Sequence, residues 1–245
     1  MKKFLTLATL AALLFSGCTV QLGRGSTVYG TGAMVSRSFE VGDFSALEVG
    51  GSASFTVIFR QSDDISVEIA MQENLFDLHQ ISVRGNYLSL SRTNSNDTVR
   101  YGNNRPRVYI YAPTLTAINI NGALHTEGWD TISTPNFSIT SNGLINMAAS
   151  LEVDRLQLDL SGASNLDFWG NATNTSITKN GAGSIMARNL HTEDTTITLN
   201  GAGDIEIAVA NTLDATLNGV GSIRYIGNPD VTQHVGALGS IRRVE

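Results

Sequence analysis

The chain has 245 residues, a formal net charge of −6 and a sequence pI near 5.2, with its basic residues scattered, which leaves no electrostatic footprint for DNA or RNA. With 24 Gly, 4 Pro and 7% aromatic residues and no long amphipathic run, the composition suits short strands joined by tight turns and excludes a helical bundle. A repeat array grows without a second core, so the length requires only one structural body.

Lys2 and Lys3 precede an apolar run from Phe4 to Phe15, the layout of a signal peptide and too short to span a bilayer. Phe15-Ser16-Gly17-Cys18 follows, and residues 1–18 resemble a bacterial lipoprotein signal, whose cysteine is acylated and becomes the mature N-terminus. Phe15 stands where Leu is usual. Cys18 is the single cysteine, and the alternative is an ordinary cleaved signal with a leftover thiol. The resemblance implies a lipid anchor in a membrane of the bacterial cell envelope. Thr19 is not the Asp associated with inner-membrane retention, so the outer membrane is the expected destination. Residues 19–36 are rich in Gly, Ser and Thr and read as a flexible linker between anchor and body.

Residues 37–117 form a strand-rich lead-in. Ala46-Leu47-Glu48-Val49, Gly50-Gly51 and Phe55-Thr56-Val57-Ile58-Phe59 read as a degenerate first rung. Ile65, Val67 and Ile69 alternate with polar residues, so one face is buried and the other wet. Gln72 to Asp77 is the one short helical or turn-like candidate, and Ile81–Val83 and Leu88–Leu90 flank a predicted hairpin turn. Thr93 to Arg105 is polar and reads as an exposed loop. Asp63-Asp64 suggests a metal pair, yet neighbours on a strand point to opposite faces and no third carboxylate stands near, so a solvated turn is expected. His79, His125, His191 and His234 lack partners at ligand spacing.

Residues 118–245 repeat one phrase, an alternating run, a small-residue turn and a second alternating run. The turns are Asn121-Gly122, Asn142-Gly143, Ser161-Gly162, Asn180-Gly181, Asn200-Gly201 and Asn218-Gly219, with glycines 21, 19, 19, 20 and 18 residues apart. A fixed period of this length predicts a solenoid. Four and two residues before each glycine stand mainly apolar residues, from Ile118 and Ile120 to Ala215 and Leu217, and Met147, Leu166, Ile185, Ile205 and Ile223 stand four after it. These are predicted to fill the interior. Lys179 breaks its column, and an unpaired ammonium there is costly. The Asn-Gly turns are expected to need a positive φ, and stacked Asn121, Asn142, Asn180, Asn200 and Asn218 to bond amide to amide. Gly201-Ala202-Gly203-Asp204-Ile205 is similar to half of a calcium-binding nonapeptide. That motif needs Asp in successive turns, whereas the equivalent positions are His125, Asn146, Asn165, Ser184, Asp204 and Ser222, so no metal is expected.

Strand-[NS]GAG-strand repeats after a strand-rich half containing Gln72-Glu73-Asn74-Leu75 resemble the GIN domain family of autotransporter adhesin heads, over roughly Ser38 to Glu245. The resemblance implies an all-β, right-handed parallel β-helix related in shape to pectin lyases, a role in cell adhesion, no cofactor, no lyase residues, and a homo-oligomer, a trimer by family analogy. The expected function is a non-enzymatic envelope lipoprotein presenting a β-helix surface that binds a protein or glycan. A polysaccharide lyase or hydrolase on the same fold is the alternative. Trp129 and Trp169 each lie seven residues after a rung glycine and serve as candidate glycan contacts or, alternatively, as rim caps of the core.

Overall fold

A computed structural model describes residues 26–245 except 95, 103 and 237. Cys18, the signal segment and residues 19–25 of the expected linker lie outside the described residues. The described residues are 70% strand and 3% helix, wound into a β-solenoid of about 7 turns. Its long strands are Ile132–Ser141, Leu144–Leu160, Ala163–Lys179, Ile185–Leu199 and Ala202–Leu217, and each pairs in parallel with the next. The expected parallel β-helix is therefore the observed one.

Register turns the period into columns. Leu88, Leu47, Ile118, Ile139, Leu158, Ile177, Ile197 and Ala215 stack in one line, all buried. A second line runs through Leu166, Ile185, Ile205 and Ile223. Stacked at ~4.8 Å, these apolar rows exclude water along the axis, and each rung depends on its neighbours. Lys179 sits within this interior, 0% exposed, between Leu160 and Leu199.

Chain order and spatial order part company in the lead-in. Ala46–Val49 and Ser54–Gln61 form a complete rung against Ala117–Ile120 and Ala123–Thr126. On its other side it pairs with the later segments Tyr87–Arg92 and Arg107–Ala112, which make the terminal rung. Antiparallel strands then close that end. Ser66–Gln72 pairs with Arg107–Ala112, and His79–Arg84 with Tyr87–Arg92, the expected hairpin. The short helical candidate is a 3-10 helix, Glu73–Leu78, with Leu75 and Phe76 buried. Terminal rungs need such covers, because an open stack exposes both its core and its strand edges.

Two expectations are corrected here. The described part of the 19–36 linker is not a free tether, since Thr27–Tyr29 pairs with Thr98–Arg100 and Met34–Phe39 lies antiparallel on Ser66–Gln72. Val28, Val35 and Phe39 pack against the core, and the edge that Ser66–Gln72 would otherwise leave open is what recruits them. The 93–105 stretch likewise carries a strand, Thr98–Arg100.

The turn glycines are needed for a reason other than the expected one. None of Gly122, Gly143, Gly162, Gly181, Gly201 and Gly219 has positive φ, and among the described residues none other than glycine does. Instead a Cβ on Gly201 would stand 2.0 Å from the carbonyl oxygen of Gly181, and one on Gly162 1.8 Å from that of Gly143. Backbone stacks on backbone at this corner, and a methyl group has no room. The positive-φ positions are two residues later, at Gly183, Gly203 and Gly221, where both conformation and space require glycine.

Candidate functional site

On one flank the rungs build a polar trough. Asn174, Asp194, Thr212 and Asp230 stand in register along one wall, and Ser176, Thr196, Asp214 and Thr232 along the other. Thr175, Thr195 and Leu213, between the walls, are buried, so alternation along each strand produces the two outward rows. Arg155, one rung before Asn174, closes one end. The hollow measures about 420 Å³, and four rungs at ~4.8 Å carry it across about 15 Å of the solenoid axis.

Its chemistry is hydrogen bonding with an acidic bias. Three carboxylates, Asp194, Asp214 and Asp230, face a single guanidinium, Arg155. Asp194 Oδ1 already accepts from Thr212 Oγ1 at 2.5 Å. Hydroxyls, amides and carboxylates repeating at the rung pitch suit an extended ligand that repeats its own donors and acceptors. No histidine, lysine or cysteine is among the residues lining it.

The trough was hidden from a reading anchored on the preceding glycine. Arg155, Asn174, Asp194 and Thr212 stand seven residues before the next rung glycine, and counting backwards would have aligned them. Counting forwards fails because the corners vary in length, with register shifts between Ala187 and His191.

The two tryptophans part company. Trp129 is buried, donating from Nε1 to the Val57 carbonyl at 2.7 Å and packing its ring 5.7 Å from Phe59. It is a core residue, and its candidacy as a glycan contact is withdrawn. Trp169 is 41% exposed beside Ser150 and does not line the trough. Close by in register, Met186 is also exposed, and with Ala148, Leu166 and Asp167 it borders a second, more apolar hollow.

The asparagine column is a ladder with one gap. Asn142 Nδ2 donates to Asn121 Oδ1 at 3.1 Å, Asn200 to Asn180 at 2.8 Å, and Asn218 to Asn200 at 2.9 Å. Ser161 takes the position between Asn142 and Asn180. The column of the calcium-like motif also spends its polar groups on hydrogen bonds. Asn165 donates to Asn146 at 2.9 Å, and Asp204 Oδ1 accepts from the Ser222 amide at 3.1 Å and hydroxyl at 2.5 Å. Among the described residues no group of three or more His, Cys, Asp or Glu side chains could hold a metal ion. Of the histidines, His79 is buried, and burial lowers its pKa while its Nδ1 lies 2.8 Å from the Leu75 carbonyl. Burial also lowers that of His125, with the Arg105 charge adding to the effect.

The fold recurs in solved structures. A "putative adhesin" from Bacteroides fragilis NCTC 9343 matches with TM-score 0.77 and 24% identity, covering 89% of this chain and 100% of that one. A "putative adhesin" from Parabacteroides merdae ATCC 43184 matches with TM-score 0.63 and 22% identity, over 90% and 100%. A "putative lipid binding protein" from Parabacteroides distasonis ATCC 8503 matches with TM-score 0.65 and 22% identity, again over 90% and 100%. No curated protein matches the chain. The profile of the family described as "Putative auto-transporter adhesin, head GIN domain" matches residues 43–229, and the chain belongs to this GIN domain family.

Proposed function

We propose that the protein is a non-catalytic adhesion module of the bacterial cell envelope, tethered through an acylated Cys18 and binding a glycan or protein along the flank of its solenoid. The observation that carries this reading is the trough of residues 174–176, 194–196, 212–214 and 230–232, an open linear surface whose groups recur at the rung spacing. The family description, an adhesin head, supports the same role. Trp169 and Met186, exposed on a different stretch of the rungs, offer a separate apolar contact. The signal-like segment ending in Cys18 supports outer-membrane presentation.

The test is adhesion of cells bearing the full chain to surfaces coated with linear polysaccharides or with extracellular proteins. Thr196→Trp, which plugs the trough from an outward position, is expected to abolish adhesion, and Glu68→Gln on the lead-in to leave it intact. Unchanged adhesion by Thr196→Trp would remove the trough from consideration. Depolymerisation of a polysaccharide by the purified chain would overturn the non-catalytic reading.

A further inference from the structure

The two ends of the solenoid are finished differently. Antiparallel strands and the 3-10 helix Glu73–Leu78 cover the lead-in end. The last rung, Asp230–Val235 and Leu238–Arg243, pairs back onto Thr212–Leu217 and Val220–Tyr225, and among the described residues no strand pairs with its far side. The core columns run into this rung and open there. Val231 and Val235 continue the buried Leu213 and Leu217 yet are 37% and 40% exposed, and Leu238 is 71% exposed. Ile241 continues the buried Ile223.

The far side of this rung is an open strand edge. The amides of Gly236 and Val244 donate back to the Leu217 and Tyr225 carbonyls. By alternation the amides and carbonyls of Val231 and Gln233, and of Gly239 and Ile241, point away from the preceding rung. Another strand satisfies such a row in full, which makes an open edge a template for pairing. The two halves of the rung also differ in charge, with Asp230 on one and Arg242 and Arg243 on the other.

We propose that this rung docks onto the same rung of a second copy, across a two-fold axis through the corner at Gly236. Such an axis lays Asp230–Val235 antiparallel on Leu238–Arg243 of the second copy, and the reverse, so both edges close at once. Residues equally far from Gly236 then meet. Val231 exchanges backbone hydrogen bonds with Ile241, and Gln233 with Gly239, the residues whose amides face the edge. Val231 and Ile241 both continue core columns, so their contact carries the core across the axis. On the outer face Asp230 meets Arg242, Thr232 meets Ser240, and His234 meets the exposed Leu238. Pairing each strand with its own copy instead gathers Arg242 and Arg243 of both copies on one ladder with no carboxylate. A register shifted by one residue sets inward side chains against outward ones. Asp230 and Thr232 belong to the last rung of the trough, so Arg242 and Ser240 of the second copy extend it by a rung. The pairing itself does not rest on the adhesion reading.

The full chain in density-matched detergent is followed by sedimentation equilibrium over a range of concentrations. A monomer–dimer equilibrium is expected. Arg242→Asp sets carboxylates opposite each other on both ladders and should weaken the dimer about tenfold or more. Asp230→Arg should do the same, and Asp230→Arg combined with Arg242→Asp should restore dimerisation, a rescue that a folding defect does not give. Gln233→Pro, which removes an amide facing the open edge, should also weaken the dimer, whereas Arg84→Asp on the lead-in leaves it unchanged. A monomer at every concentration, a trimeric mass, wild-type dimerisation in both Arg242→Asp and Gln233→Pro, or a double variant no better than the single ones overturns the proposal.

Discussion

The ammonium of Lys179 donates to the carbonyl oxygen of Gly181 at 3.2 Å from inside the apolar column. One backbone carbonyl replaces the water shell of a charge that Leu160 and Leu199 cover from the adjoining rungs. Burial lowers the Lys179 pKa below that of a free lysine. In the window between the lowered native value and the unfolded value near ~10.4, the unfolded chain binds more protons, so stability rises with pH. The penalty is present in full below the native pKa and absent above the unfolded one. Lys179→Met is therefore expected to gain roughly 1–2 kcal/mol at pH 7. The gain should shrink as pH rises through the window, measured by denaturant midpoints. A less stable Lys179→Met at pH 7 would mean that the Gly181 bond outweighs desolvation.

Gly201 and Gly42 separate space from backbone freedom. A Cβ at Gly201 meets the Gly181 and Asn180 backbones at 2.0 and 2.5 Å, while one at Gly42 meets nothing within 4 Å. Neither has positive φ. Gly201→Ala is expected to cost about 3 kcal/mol or more, since stacked backbone cannot move aside as a flexible side chain would. Gly42→Ala should shift stability by less than about 0.5 kcal/mol. Amide exchange should rise first around residues 197–223 in Gly201→Ala, because each rung is held by its neighbours. Equal tolerance of the two changes would contradict the stacked corner.

Much of the solenoid was legible because one constraint acts at every rung. Backbone contact at the corner forces Gly143, Gly162, Gly181 and Gly201 into a period, and Ile139, Leu158, Ile177 and Ile197 follow by alternation. What escaped depends on partners far apart in the chain. Thr27–Tyr29 is a strand because Thr98–Arg100 accepts it, and nothing local announces that pairing. Trp129 and Trp169 share the same offset from a rung glycine, yet one is core and the other surface. Trp129 meets Phe59 and Val57 of the rung formed by Ser54–Gln61, whereas Trp169 pairs with Ser150. Asp194, Asp214 and Asp230 are far apart in the chain, and only the register of the rungs brings them to one trough.

That difference between the tryptophans is measurable. Trp129→Phe keeps most of the ring packing but leaves the Val57 carbonyl with the Glu127 amide as its one remaining donor, and is expected to cost about 1 kcal/mol in unfolding experiments. Trp169→Ala, at an exposed position, should change stability by about 0.5 kcal/mol or less. Any effect of Trp169→Ala on adhesion then reports ligand contact and not folding. A large stability loss in Trp169→Ala would instead make it a structural residue like Trp129.

The gap at Ser161 offers a gain of stability from the ladder itself. Asn121 and Asn142 are joined, and so are Asn180, Asn200 and Asn218, but the serine leaves Asn180 without a partner amide in the preceding rung. Ser161 is exposed and its neighbours already hold the side-chain direction that a ladder needs. Ser161→Asn should therefore add two amide bonds, from Ser161→Asn to Asn142 and from Asn180 to the new amide. With water competing at the surface, each is worth about 0.5 kcal/mol, the low end for hydrogen bonds, so the variant should gain about 1 kcal/mol. Asn200→Ala removes two existing bonds and should lose a similar amount. The pair is measured by thermal unfolding, with amide proton exchange of the Asn142, Asn180 and Asn200 side chains as a local readout. If Ser161→Asn is neutral while Asn200→Ala is costly, the asparagines act through their turn backbone and the ladder adds nothing of its own.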